Sequence, residues 1–240
     1  MTSFVFVFAV TALCAIAQTV TGFGFAVVMM ALLPLAMPHE IGLYLSIGCG
    51  TAMCFWLIWK YRSAIQWKLA LFPAVFSALG VIAGLFLGGK INGSGYMRLL
   101  GGFLVLLSIW FLVLAKRIRL PGTPLVGAIA GIIGGIFNAL FSIGGPPLVL
   151  FYNSVLDEKE SYMATLNLSL AISSIVTLVL RFITLDIPDG LLACLPPTVL
   201  AVFFGGWIGK KIFSRVNAEQ LKRIIYVFMC VVGIYFIITG

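Results

Sequence analysis

Long uncharged stretches dominate the chain, and charged residues fall in short segments between them. Eight stretches contain no Asp, Glu, Lys or Arg: 1–39, 41–59, 69–89, 99–115, 120–156, 161–180, 190–209 and 224–240. Each is about 17 residues or longer, the length that a helix needs to cross the hydrocarbon core of a bilayer. The pattern predicts an all-α polytopic membrane protein.

Two of these stretches, 1–39 and 120–156, are about twice as long as the other six. At ~1.5 Å per residue, one straight helix of that length would far exceed the ~30 Å hydrocarbon core. Each stretch must therefore fold back or break. The residues for a break lie in the middle of each, as QTVTGFGF at 18–25 and NALFSIGGPP at 138–147.

The basic residues of the loops favour hairpins over single crossings. If each long stretch crosses once, seven basic residues lie on one side of the membrane and eight on the other. If each returns to its starting side, twelve lie on one side and only Lys90, Arg98 and Arg181 on the other. Basic loops stay in the cytoplasm. Both termini are therefore predicted to be periplasmic, with cytoplasmic loops at 60–68, 116–119, 157–160 and 210–223.

The two halves share one layout, which predicts two inverted repeats, 1–119 and 120–240. A shift of 120 residues places Gln18 over Asn138 and Gly24 over Gly144. A half with an odd number of net crossings inserts its copy upside down, and inverted repeats with broken helices are a transporter architecture. Each repeat is a broken or re-entrant hairpin (1–39, 120–156) plus three spans: 41–59, 69–89 and 99–115, then 161–180, 190–209 and 224–240.

The two breaks form the predicted binding site. Non-helical backbone at membrane depth occurs only against protein or a water-filled cavity. A helix that starts there leaves its first N–H groups unpaired, so two such ends facing each other would form a neutral, donor-rich anion site. Close packing of small residues is the alternative for both segments. The candidate residues are Gln18, Thr21, Gly22, Gly24, Asn138, Ser142, Gly144, Gly145, Pro146 and, from span 161–180, Asn167.

Further polar residues have two interpretations each. Side chains in the spans would line the cavity or join helices by hydrogen bonds. Arg181 would attract anions or extend its charge to the membrane interface. His39, the single histidine, would handle protons with Glu40 or lie in a solvated loop. The span side chains concerned are Ser46, Thr51, Ser169, Ser173 and Ser174.

Composition narrows the functional classes. The chain is 62% hydrophobic and 9% charged, too apolar for a soluble domain. Its net charge of +8 belongs to loops that orient the chain, so no nucleic-acid partner is expected. The N-terminal stretch lacks the basic region of a cleaved signal peptide and is expected to be retained. The five cysteines have no metal-ligand spacing, so no metal, cofactor or disulfide is predicted.

The motifs resemble those of a known family. TGFGF followed by Pro34, FSIGGPP in the second half, and the duplicated eight-segment layout resemble the TauE/SafE sulfite exporter family of anion permeases. The resemblance covers essentially the whole chain, although the first-half motif is leaner in glycine than in many relatives. It implies transport of sulfite or an organosulfonate, such as sulfoacetate, across the bacterial inner membrane.

The leading hypothesis is therefore a secondary transporter for a small anion, working by alternating access, and not an enzyme. No Walker motif is present. A passive pore for small solutes, built from two inverted half-helix hairpins, is the alternative. An intramembrane serine hydrolase using Ser142 would need His39, which lies at the far end of the other hairpin. Expected partners are the anion, membrane lipid and, if transport is coupled, protons; the oligomeric state stays open.

Overall fold

The protein is described by a computed structural model over residues 2–89, 93–114, 120–184, 187–212 and 218–239. These residues form helices and no strand. Short 3-10 turns lie at Leu33–Leu35 and Arg62–Ala64, and a π-helical turn at Trp110–Leu114 extends α5. The α-helices are α1 Thr2–Thr21, α2 Phe25–Leu32, α3 His39–Lys60, α4 Trp67–Gly88, α5 Gly93–Ile109, α6 Pro124–Phe141, α7 Gly145–Val155, α8 Lys159–Thr184, α9 Leu191–Ile212 and α10 Ala218–Thr239.

Seven of the described helices are long and apolar enough to cross a membrane, by length and composition: α1, α3, α4, α5, α6, α8 and α9. Two shorter apolar segments, Phe25–Leu35 and Arg223–Thr239, accompany them. The prediction of an all-α polytopic membrane protein is confirmed. The predicted loop 116–119, Lys90 and residues 213–217 lie outside the described residues.

Both long uncharged stretches consist of two helices separated by a short break. Gly22 and Gly24 have φ values of 84° and 108°, in the left-handed region that glycine adopts without steric cost. Ser142 also lies in that region, with φ 61°. Its N–H donates to Asn138 O at 2.9 Å and closes the last turn of α6. The backbone therefore breaks where the glycine and serine signals predicted it.

The two ends of the second long stretch contact each other. The N–H of Leu120, just before α6, donates to Ser154 Oγ near the end of α7 at 2.9 Å. The two ends of stretch 120–156 therefore lie together, as a hairpin requires.

Helices of one half pack against helices of the other. α1 packs on α9, α4 on α6, α3 on α8, and α5 on α10. Glycines bring the backbones of α4 and α6 into contact, since a Cβ at Gly135 would collide with Ser77 O and one at Gly80 with Ile132 O. Small residues serve this close approach in membrane helices.

Buried apolar side chains of the described residues form two clusters, one containing Phe23 and Phe141 and the other containing Phe25 and Leu45. Phe23 and Phe25 flank Gly24. The first break thus lies between the two clusters, where side chains from both halves meet.

For both His39 and Arg181, the structure contradicts one of the two interpretations. His39 is not in a solvated loop: it begins α3, and its ring stacks on Tyr96 with the ring centroids 4.1 Å apart. Arg181 does not reach the interface from the end of its span, because α8 continues to Thr184 and the Arg181 residue is only 8% exposed. In both cases a neighbouring helix covers the side chain, which the order of residues alone does not reveal.

Candidate functional site

The two breaks line one cavity of about 40 Å³. It is lined by residues of α1, α2, α3, α6, α7 and α8. The fold therefore brings together segments that are 120 positions apart in the chain. The predicted site residues in its wall are Gln18, Gly24, Asn138, Ser142, Gly144 and Gly145.

Four predicted site residues are not in the wall of this cavity: Thr21, Gly22, Pro146 and Asn167. Thr21 Oγ1 donates within its own helix, to Ala17 O at 2.8 Å. Pro146 is buried in the first turn of α7. These four residues lie in or against the two breaks, outside the cavity wall.

Asn167 holds the first break in place. Its amide nitrogen donates to Gly22 O at 3.1 Å and to Met163 O at 2.8 Å. Its Oδ1 accepts from Gln18 Nε2 at 3.2 Å. The nitrogen and the oxygen of the Asn167 side-chain amide are therefore both used in bonds that join α8 to the end of α1. Asn167 fits the interpretation in which polar side chains join helices.

The other predicted side-chain donors are also bonded to neighbouring helices. Asn138 Nδ2 donates to Ser173 Oγ at 3.2 Å and to Thr177 Oγ1 at 3.0 Å, both on α8. Ser142 Oγ donates to Ser46 Oγ on α3 at 3.0 Å. These bonds orient the second break. Because they occupy the side-chain donors of Asn138 and Ser142, a ligand in the cavity would find its hydrogen-bond donors mainly in the backbone.

The first turn of α2 supplies those donors. Phe25, Ala26 and Val27 all line the cavity. The first N–H bonded back to the break is that of Val28, which donates to Gly24 O at 3.0 Å. The N–H groups of a helix's first turn have no acceptor within the helix and carry its positive dipole end. α7 contributes less, because Pro146 and Pro147 have no N–H.

Two hydroxyl groups add to this set. Ser46 accepts the bond from Ser142 and keeps its own hydrogen available. Ser174 lines the cavity, and within the described part of the chain its hydroxyl has no partner in any hydrogen bond of the structure. Both are cavity candidates predicted from the sequence, whereas the other candidates, Thr51, Ser169 and Ser173, do not line the wall.

Gly50 and Cys54 are wall residues that the sequence analysis missed. With Ser46 they recur every fourth position along α3, and such residues share one helical face. This run of small residues in an uncharged helix was the available signal. The same spacing joins Leu170 and Ser174 on α8.

The cavity wall is uncharged among the described residues. Helix N-termini bind anions through their free N–H groups and their dipole, and the N-terminus of α2 is the part of the described wall with this property. Gly144 lets α7 begin close to α6, because a Cβ there would lie 2.8 Å from Asn138 Cβ and 2.9 Å from Gly134 O.

A serine nucleophile needs a base within hydrogen-bond reach. The hydroxyl of Ser142 is instead bonded to Ser46, and the ring of His39 is stacked on Tyr96.

One known protein family matches nearly the whole chain. The model of the family described as sulfite exporter TauE/SafE matches residues 7–236, which include both breaks and every wall residue. No curated protein and no solved structure matches the chain. The resemblance drawn from the two motifs is thereby confirmed. The chain belongs to the TauE/SafE sulfite exporter family and is a multi-pass membrane protein of an anion-transporting family.

Proposed function

We propose that the protein is a secondary transporter that carries sulfite, or a small organosulfonate, across the bacterial inner membrane by alternating access. The observation that carries this proposal is the shared cavity, which is lined by both breaks and by the first-turn residues of α2. Sulfite and sulfonate oxygens accept hydrogen bonds. They therefore match a wall whose available polar groups include N–H and O–H donors.

Cavity size favours the smaller substrate. A volume of 40 Å³ holds on the order of three water molecules, at ~10–15 Å³ each. Sulfite, a single sulfur with its oxygens, suits this space. Sulfoacetate adds a carbon and a carboxylate, so it would require the cavity to widen.

The helix pairing supports a two-repeat mechanism. Exchanging the halves 1–119 and 120–240 turns the α1–α9 pair into the α6–α4 pair and leaves the α3–α8 and α5–α10 pairs unchanged. Inverted repeats related in this way rock about a central site. The loop charges place both termini in the periplasm in this proposal.

Proton coupling would act through the substrate. The described wall residues include no Asp, Glu or His, so the site has no relay carboxylate of the usual kind. Protonated and deprotonated forms of sulfite differ in charge, and a proton gradient would then drive their net movement.

The test is uptake into proteoliposomes containing the purified protein, with empty liposomes as the control. Sulfite, sulfoacetate, sulfate, thiosulfate, simple carboxylates and glycerol would be compared with and without a proton gradient. We expect saturable uptake of a sulfur anion, sulfite being the best. Unsaturable flux of glycerol would instead establish the passive pore and overturn the carrier.

A further inference from the structure

A polar stripe on α8 leads away from the cavity. Ser169, Ser173, Thr177 and Arg181 recur at every fourth position and are all buried, so they share one helical face. Ser173 and Thr177 accept the two hydrogen bonds from Asn138 in the cavity wall. Arg181 lies about 10 Å along the helix from the wall residue Ser174, at ~1.5 Å per residue.

Arg181 is a buried cation with incomplete pairing. Its Nη2 donates to Ala139 O at 2.5 Å. Its Nε is buried and has no hydrogen-bond partner among the described residues. Within the part of the chain that the structure describes, no carboxylate is in ion-pair contact with Arg181. The ion pair found there joins His39 to Glu40. A buried charge without a counter-charge is costly.

The C-terminal end of α6 balances only part of this charge. Ala139 and Leu140 are in its last turn, whose carbonyl groups have no acceptor role within the helix. Tyr96 OH donates to Leu140 O at 2.9 Å. A helix end is equivalent to roughly half an elementary charge, and the guanidinium has five N–H donors. Hydrogen-bond donors and positive charge for an anionic partner therefore remain.

We propose that Arg181 is a second anion-binding position, where the transported anion makes contact on the membrane side toward which the C-terminal end of α8 points. This inference rests on the proposed function. The planar guanidinium matches an oxyanion with two parallel hydrogen bonds. From Arg181 the anion passes along Thr177 and Ser173 to Asn138 and the cavity. Tyr44 of α3, whose OH donates to Arg181 O at 3.4 Å, lies beside this route.

The competing explanation is a purely structural one, in which Arg181 only caps α6. The two explanations differ in sidedness. A capping residue affects the folded protein as a whole. A binding residue at one end of the route changes the apparent affinity for substrate presented from that end.

The experiment measures sulfite KM from each side, in right-side-out and inside-out membrane vesicles. For Arg181→Gln we expect KM to rise at least about tenfold from the side toward which the C-terminal end of α8 points and to stay within about twofold from the other, as expected for a lost charge-assisted hydrogen bond. Arg181→Lys keeps the positive charge but loses the planar guanidinium with its two parallel N–H donors. The KM of this variant should be intermediate. Arg98→Gln removes an exposed arginine from nearby α5 and is the charge control.

Tyr96→Phe is the structural control, since it removes the other bond to the end of α6 without changing charge. If Tyr96→Phe raises KM on the same side as much as Arg181→Gln, or if the two sides change equally, Arg181 is a cap and the inference fails. Thermal unfolding with and without sulfite is measured in parallel. Wild-type transport with an unchanged sided KM in Arg181→Gln overturns this inference alone. A wild type that is neither transport-active nor stabilised by sulfite overturns the proposed function as well.

Discussion

The hydroxyl of Ser142 donates a hydrogen bond to the hydroxyl of Ser46 at 3.0 Å. Ser142 ends α6 with φ 61°, and Ser46 lies on α3 in the other half of the chain. The bond holds a left-handed serine at the mouth of the second break. It also directs the Ser46 oxygen toward Ser142 and frees the Ser46 hydrogen for a ligand.

Replacing Ser142 by Gly and by Ala separates its backbone role from its hydroxyl. Both variants lose the bond to Ser46, so we expect sulfite KM to rise several-fold in each. Ala keeps the positive φ, which costs about 1–3 kcal/mol in a non-glycine residue, and should melt at a lower temperature than Gly. Ser108→Ala is the control, since that buried hydroxyl bonds only to Leu104 O of its own helix. If Ser142→Gly has the wild-type KM, the Ser142 hydroxyl does not contribute to substrate binding.

Asn138→Asp tests whether the cavity holds an anion. A carboxylate in the wall repels an anion at ~4 Å by about 4 kcal/mol at an effective dielectric of ~20, so uptake of sulfite should fall much further than in the uncharged Asn138→Leu. Uptake relative to wild type should recover as pH is lowered, because protonation removes the charge. Equal impairment of the two variants at every pH would contradict an anionic ligand at this position.

The adjacent glycines of the second break should differ in their tolerance of a side chain. Gly144→Ala places a Cβ 2.8 Å from Asn138 Cβ, whereas Gly145→Ala places one 3.8 Å from Phe23, an ordinary contact. We expect Gly144→Ala to lose about 1–3 kcal/mol of stability and Gly145→Ala to melt near the wild-type temperature. Thermal unfolding in detergent measures both. Equal melting temperatures would mean that α7 can move away from α6.

Asn167 and Ser174 should separate structure from binding on one helix. Asn167→Leu leaves Gly22 O without its partner and removes one of the two acceptors of the Gln18 amide. The cost is about 1–3 kcal/mol, so the melting temperature should fall while the KM of the remaining active protein changes little. Ser174→Ala removes an unbonded wall hydroxyl and should raise KM without changing the melting temperature. Thermal unfolding and uptake measure the two effects. A raised KM in Asn167→Leu together with a lowered melting temperature in Ser174→Ala would mean that Asn167 binds substrate and Ser174 stabilises the fold.

Cysteine labelling tests the hairpin arrangement. Ser63 and Glu158 are exposed between helices, and introduced cysteines at both positions should react with a membrane-impermeant maleimide from the same, cytoplasmic side. The unsubstituted protein sets the background from its own cysteines, of which Cys14, Cys49 and Cys54 are buried. Reaction from opposite sides would exclude the hairpins and the inverted repeat.

The breaks could be predicted because their chemistry is local. Gly24 needs a left-handed backbone, Gly144 permits a close approach, and neither requirement depends on a distant partner. The distinction between Asn138 and Asn167 could not be predicted in this way. Each is an amide in an uncharged helix, and only the rotation of α8 against α1 directs Asn167 to Gly22 O.

The sequence by itself determined the class of the protein, its interrupted segments and its family, because membrane thickness sets the length of any spanning helix whatever its neighbours. Only the tertiary structure decided which polar groups face the cavity and which join helices. Arg181 shows the reason: its partner Ala139 is 42 positions away, and the pairing exists only because α6 ends beside the last turns of α8. Whether a charged side chain is buried or exposed depends on how the helices pack, and the sequence alone does not give that packing.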